Sequence, residues 1–126
     1  MQIFGDEFRV VRNTLRGGLG LAVTGSDGNT VEHNIADRNL KDGFHVEIED
    51  DENEPSEGNV LDDNRAMGNQ AEGIENDGVD TVLTDNTSMD NRTDCAGDGT
   101  VAVDSGNVCA DGSTFTTPGE VDRVGR

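Results

Sequence analysis

Apolar residues in this chain fall in short runs, often at alternate positions, between Gly and Asn, and no stretch keeps helical spacing over three turns. Aligning the chain on asparagine brings four segments into step: Val10-Val11-Arg12-Asn13, Val31-Glu32-His33-Asn34, Leu61-Asp62-Asp63-Asn64 and Leu83-Thr84-Asp85-Asn86. The anchors are 21, 30 and 22 residues apart. Five residues after the last three anchors come Asn39, Asn69 and Asn91. Nine after Asn34 and Asn64 come Gly43 and Gly73, each followed by an apolar residue, Phe44 or Ile74. In the first unit Gly20-Leu21 arrives two residues early and Gly18 replaces the second Asn, as terminal repeats often depart from the pattern.

Alternation by two in short runs predicts strands with one face inward. The first strand of each unit is expected at Gly20–Val23, Gly43–Ile48 and Gly73–Asn76. The second lies near Val10, Thr30–His33, Val60–Asp63 and Val82–Asp85, and the third near Leu15, Ala36, Ala66 and Ser88. Three strands and three turns per unit describe one triangular coil.

The order Gly-h-x-h, Asn-x-h, x-x-Asn-x-h (h, apolar) resembles the right-handed parallel β-helix repeat of the pectate-lyase-like and NosD-like families over residues 8 to 94. The resemblance implies an all-β solenoid of four to five coils filling a single domain, 1–126, with an N-terminal segment 1–7 and an irregular segment 95–126. Equivalent residues of coils about 4.8 Å apart then form ladders, and Asn13, Asn34, Asn64 and Asn86 are expected as a buried amide ladder at the bend between second and third strands. The fold speaks weakly to function, because lyases, hydrolases, epimerases, tailspikes and non-catalytic surface proteins share it.

Two places break the repeat. Coil two carries an acidic insertion, 49–57, with five carboxylates among its first six residues. After Asp94 the spacing fails, Val101 and Val103 alternate as one further strand, and Cys95 and Cys109 flank it fourteen residues apart. A disulfide between them is favoured over two buried thiols, and half a metal site is disfavoured because no Cys-x-x-Cys or nearby His is present. It implies an oxidising, extracytoplasmic setting.

Charge narrows the function classes. With 27 Asp+Glu against 9 Lys+Arg the formal charge is −18, which repels phosphate backbones and anionic lipid, so neither nucleic acid nor a membrane is an expected partner. The longest apolar runs are a few residues, and Asp6 and Glu7 stand where an export signal is basic, so no span or signal is expected. One Lys against eight Arg, with Asp exceeding Glu, fits a high-salt environment better than an acidic calcium-rich extracellular protein. The only aromatics are Phe4, Phe8, Phe44 and Phe115, so stacking platforms for sugars are missing.

On the first strands the pattern turns Ala22, His45 and Glu75 outward on one rung and Thr24, Glu47 and Asp77 on the next. His45, Glu47, Glu75 and Asp77 are therefore the candidate catalytic patch, on the face where many enzymes of this fold carry their cleft. His45 is the candidate base; its plain reading is an exposed polar side chain on a solvated sheet. Glu47, Asp50, Asp51, Glu75 and Asp77 are the candidate Ca²⁺ ligands, since that ion takes six to eight oxygens. Arg38, Lys41 and Arg16 are the nearest cations for neutralising a uronate. The expected function is a non-catalytic or accessory β-helix domain of an extracellular or surface protein that engages polysaccharide and ions. The alternatives are a polysaccharide lyase or C5-epimerase-like enzyme, and a scaffold that self-associates through open coil ends.

Overall fold

The structure, a computed structural model, describes residues 1–47 and 55–115. Its fifteen strands form three five-stranded parallel sheets, and no helix occurs among the described residues. The first sheet holds β1 (Gln2–Ile3), β4 (Leu21–Thr24), β7 (Phe44–Glu47), β10 (Glu72–Asn76) and β13 (Thr93–Ala96). The second holds β2 (Arg9–Val11), β5 (Thr30–Glu32), β8 (Val60–Asp62), β11 (Thr81–Thr84) and β14 (Val101–Ser105). The third holds β3 (Thr14–Arg16), β6 (Ile35–Asp37), β9 (Arg65–Met67), β12 (Thr87–Met89) and β15 (Val108–Cys109). Each coil contributes one strand to every sheet, so the chain is a right-handed parallel β-helix of five coils.

The strands of the second sheet end one residue before their expected limits for a backbone reason. His33, Asp63 and Asp85, expected to close second strands, have φ of 57°, 53° and 53° and instead make the corner before each ladder asparagine. Gly20 likewise precedes β4 at φ 73°, where a Cβ would meet the Asp42 carbonyl oxygen at 2.1 Å. Ile48, expected to end the first strand of coil two, lies outside the described residues, as does most of the acidic insertion. Three strands were not anticipated: β1 and β13, which extend the first sheet by one coil at each end, and β15, which extends the third.

Inward positions stack in columns: Leu21, Phe44, Ile74 and Cys95; Val10, Val31, Leu61 and Leu83; Leu15, Ala36, Ala66, Ser88 and Cys109. Phe44, Leu61, Ile74 and Leu83 are fully buried, and on the third sheet Ala66 and Ser88 lie so close to Gly43 and Gly73 of the first that a Cβ on either glycine would collide with them. Asn76 takes the place of an aliphatic residue beside Val46; its Oδ1 accepts from the Gly78 N–H (3.1 Å) and the Thr81 hydroxyl (2.6 Å). No buried side-chain polar atom among the described residues lacks a partner, which is the condition for burying so many amides.

The asparagine ladder runs through all five coils. The backbone N–H of Asn13 donates to Asn34 Oδ1 (2.8 Å), Asn34 to Asn64 (3.0 Å), Asn64 to Asn86 (2.9 Å) and Asn86 to Asn107 (3.0 Å). A second ladder joins Asn39, Asn69 and Asn91, and Asn29 pairs with Asn59 in the same manner. At the C-terminal end Cys95 and Cys109 are joined, with Cα atoms 5.8 Å apart, tying β13 to β15. There Asp104 stands in register with Leu83, and Phe115 is buried against the core. The edge N–H groups of Asp94 and Cys95 donate to Asp111 Oδ2 (2.9 Å) and Ser113 Oγ (2.8 Å).

Candidate functional site

Register alone assembles the candidate patch. Parallel pairing sets Ala22 beside His45 and His45 beside Glu75, while Thr24 lies beside Glu47. Alternation then turns these side chains to the outer face because Leu21, Val23, Phe44, Val46 and Ile74 fill the inner one.

His45 is the hub. Its Nε2 lies 2.8 Å from Asp77 Oδ2 and 3.5 Å from Glu75 Oε1, and its Nδ1 lies 3.3 Å from Asp42 Oδ2 and 3.2 Å from Glu47 Oε2. Glu47 is steadied by the Thr24 hydroxyl, which donates to Oε1 at 2.6 Å, and Asp77 Oδ1 accepts the Asp98 N–H at 2.9 Å. Asp42 is held from below, its Oδ1 accepting the Glu72 N–H at 3.0 Å. All four expected residues, His45, Glu47, Glu75 and Asp77, thus meet in one cluster. Asp42, in the turn before β7, joins them without having been anticipated; the only sequence signal was its place three residues before His45, across a turn whose shape the pattern did not specify.

The charges in this cluster shift one another. Burial disfavours the charged ring of His45, but the hydrogen bond to Asp77 and the charges of Glu75, Asp42 and Glu47 outweigh it, and its pKa rises. Burial is the main cause that pushes the Glu75 carboxyl up to about 8; the charge of His45 opposes it, while Asp42 and Asp77 reinforce it. The bond from His45 holds Asp77 below the usual carboxylate range despite its partial burial. Glu72 is raised by burial and by its interaction with Asp42. With a pKa of about 8 the Glu75 carboxyl is largely protonated at neutral pH, while its carboxylate neighbours favour the charged form of the His45 ring.

A cavity of about 200 Å³ adjoins the hub, lined by Gln2, Leu19, Ala22 and Lys41 together with Asp42, His45 and Glu47. Of the three cations weighed for this face, Lys41 is on its rim, whereas Arg16 and Arg38 both turn to Asp37 on the third sheet, at 2.8 and 3.7 Å. For a metal, Asp42, His45 and Glu75 offer three ligand atoms within 4.8 Å of one another. Of the five expected Ca²⁺ ligands, Glu47, Glu75 and Asp77 are in the cluster, and Asp50 and Asp51 lie outside the described residues. His33 is elsewhere, paired with Asp63 Oδ2 at 2.7 Å.

No protein-family model and no curated protein matches the sequence. Among solved structures the chain is similar to the periplasmic alginate epimerase AlgG, at 26% identity and a TM-score of 0.63 over 75% of this chain. Two variants of that enzyme match with TM-scores of 0.63 and 0.61. The match covers 22% of the epimerase, so this chain spans a short part of such a helix. Coil geometry, the three-sheet arrangement and this likeness agree that the chain has the right-handed parallel β-helix repeat its Gly and Asn spacing resembles.

Proposed function

We propose that this chain is a glycan-engaging, non-catalytic β-helix domain acting outside the cytoplasm, with the outer face of the first sheet as its binding surface. The observation that supports this most directly is the state of His45. Both ring nitrogens face carboxylates at 2.8 to 3.3 Å, an arrangement that favours an N–H at each nitrogen and so engages the lone pair a base would need. A row of fixed carboxylates beside a recess is instead suited to hydroxyl groups, which donate to carboxylate oxygens in charge-assisted bonds. The likeness to an alginate epimerase favours polysaccharide as the partner class, and the Cys95–Cys109 bridge favours an oxidising compartment, periplasmic or extracellular. A polyuronate meets like charge on this face, so its binding is expected to require Ca²⁺ held by Glu47, Glu75 and Asp77. Calorimetric titration with neutral and uronate oligosaccharides, with and without Ca²⁺, tests the proposal. Binding that weakens at least about 10-fold in Asp42→Asn supports it; no binding to either class, in any ion, refutes it.

The enzyme reading rests on a different feature, the opposed protonation of Glu75 and Asp77 on neighbouring positions. Carboxyls pushed apart in pKa are the pattern of an acid beside a base. Turnover of a uronate polymer that Glu75→Gln and His45→Ala both abolish would establish it over the binding role.

A further inference from the structure

The two ends of the solenoid are built differently. The C-terminal end is closed by the disulfide, by Phe115, by the Asp111 and Ser113 bonds to the β13 edge, and by Asp104 at the top of an aliphatic column. The N-terminal end has no such cover among the described residues. Phe4, Phe8 and Leu19 are 64%, 55% and 64% exposed there, and a cavity of about 430 Å³ opens onto Ile3 and Val10. Coil 1 is also where the charge balance changes sign, with Arg9, Arg12 and Arg16 against Asp6 and Glu7 in a chain of net charge −18.

The edge of β2 adds a directional requirement. The Thr30 N–H donates to the Phe8 carbonyl (2.8 Å) and the Arg12 N–H to the Glu32 carbonyl (3.2 Å). Ladder alternation then turns both backbone groups of Val10 toward coil 2 and those of Arg9 and Val11 away from it. Asn13 Nδ2 reaches the Val11 carbonyl at 3.2 Å, which leaves that oxygen a second lone pair.

We propose that coil 1 is the interface between two copies of this chain, related by a two-fold axis through Val10, with β2 pairing antiparallel to the partner's β2. In that register Arg9 lies opposite the partner's Val11, so their outward backbone groups match and form about four hydrogen bonds across the axis. Val10 closes both cores against its own copy. The corner before β2, carrying Glu7, falls on the corner after it, carrying the partner's Arg12, and the Phe8 ring lies by that guanidinium. The same rotation lays β1 over the partner's β3. The interface is isologous and closes at two copies. Stacking head to tail is disfavoured, because it buries Asp104 beneath Val10 and finds the β13 edge already occupied.

Sedimentation velocity on the full chain, from about 1 to about 500 µM in about 1 M KCl, tests this, salt being present to screen the remaining acidic surface. A reversible dimer of the 13.4 kDa chain is expected, with no larger species. Val11→Pro removes only an outward N–H and should weaken the dimer at least about 10-fold. Glu7→Arg and Arg12→Glu should each weaken it, and the doubly swapped chain should recover most of the loss. Val103→Asp, on β14 at the other end, should have no effect. Circular dichroism establishes that each variant retains the wild-type fold. A wild type monomeric throughout, a ladder of higher oligomers, weakening by Val103→Asp, or a folded double swap that fails to recover would each overturn the proposal.

Discussion

Asn64 sits at the centre of the principal ladder, and its replacement by Ala is the sharpest test of what holds the coils together. Its amide is fully buried: Oδ1 accepts the Asn34 backbone N–H at 3.0 Å, and Nδ2 donates to the Val31 carbonyl at 2.8 Å and to Asn86 Oδ1 at 3.0 Å. In Asn64→Ala the Asn34 N–H loses its acceptor in a dry interior, which costs about 1–3 kcal/mol. The Val31 carbonyl retains its sheet bond, so the lost Nδ2 contacts and the small void add about 1 kcal/mol more. The total of about 2–4 kcal/mol is a large share of the about 5–15 kcal/mol that holds a domain folded. For a chain of this size it should lower Tm by about 10 °C. Asn13→Ala provides the internal contrast, because no N–H among the described residues donates to its Oδ1, and about 1 kcal/mol or less is expected there. Chemical denaturation with both variants measures the difference. Equal losses at the two positions, or an unchanged midpoint for Asn64→Ala, would refute the view that the ladder works by satisfying the coil above.

Stability should fall as pH rises. His45 and Glu75 both have raised pKa values in the fold, so each contributes stability at low pH that is lost as pH rises through its folded value, for Glu75 between about 4.5 and about 8. Denaturation midpoints at pH 5.5 and 8.5 check this, and Glu75→Gln should flatten the slope; Asp77, held low, acts in the opposite sense only below its usual range. Melting temperature should rise strongly between 0.01 and about 1 M KCl as the Debye length shrinks from about 30 to about 3 Å, and millimolar Ca²⁺ should add a smaller increment that depends on Glu47. Melts that ignore KCl would dismiss charge repulsion as the dominant stress, and no calcium increment at high KCl would dismiss the ion. Reducing Cys95–Cys109 should cost up to about 3 kcal/mol, read as a loss of stability once two thiols become titratable.

The architecture was legible because a solenoid repeats its constraints. Asn34, Asn64 and Asn86 recur because each must satisfy the coil before it, and that requirement is written as spacing. The 30-residue interval between Asn34 and Asn64 did not hide the register, since β5 still pairs with β8 in step. What the pattern missed lies where its cause is not periodic. β1 and β13 lack the Gly-h-x-h signal because each borders only one neighbouring strand, and β13 relies on Asp111 and Ser113 for its outer edge. The outward rungs placed His45 beside Glu75 correctly, whereas Asp42 enters the site through the path of a turn, a three-dimensional fact that no alternation encodes.

The left-handed corner before each ladder asparagine has a consequence for how the surface can vary. Arg12, His33, Asp63 and Asp85 occupy it in successive coils, followed by Gly106, where a Cβ would lie 2.1 Å from Asp85 Oδ1. Residues as unlike as Arg, His and Asp accept the same strained backbone, so the bend is dictated by the ladder amide next door rather than by the corner side chain. Successive corners can nevertheless meet, as the His33–Asp63 pair at 2.7 Å shows. The column behaves as a one-dimensional lattice of charges: a substitution at one site is felt by its two neighbours and hardly beyond. Surface charge on this protein can therefore be rewritten coil by coil, with Asp63 and Asp85 as the adjacent like pair from which such rewriting gains most.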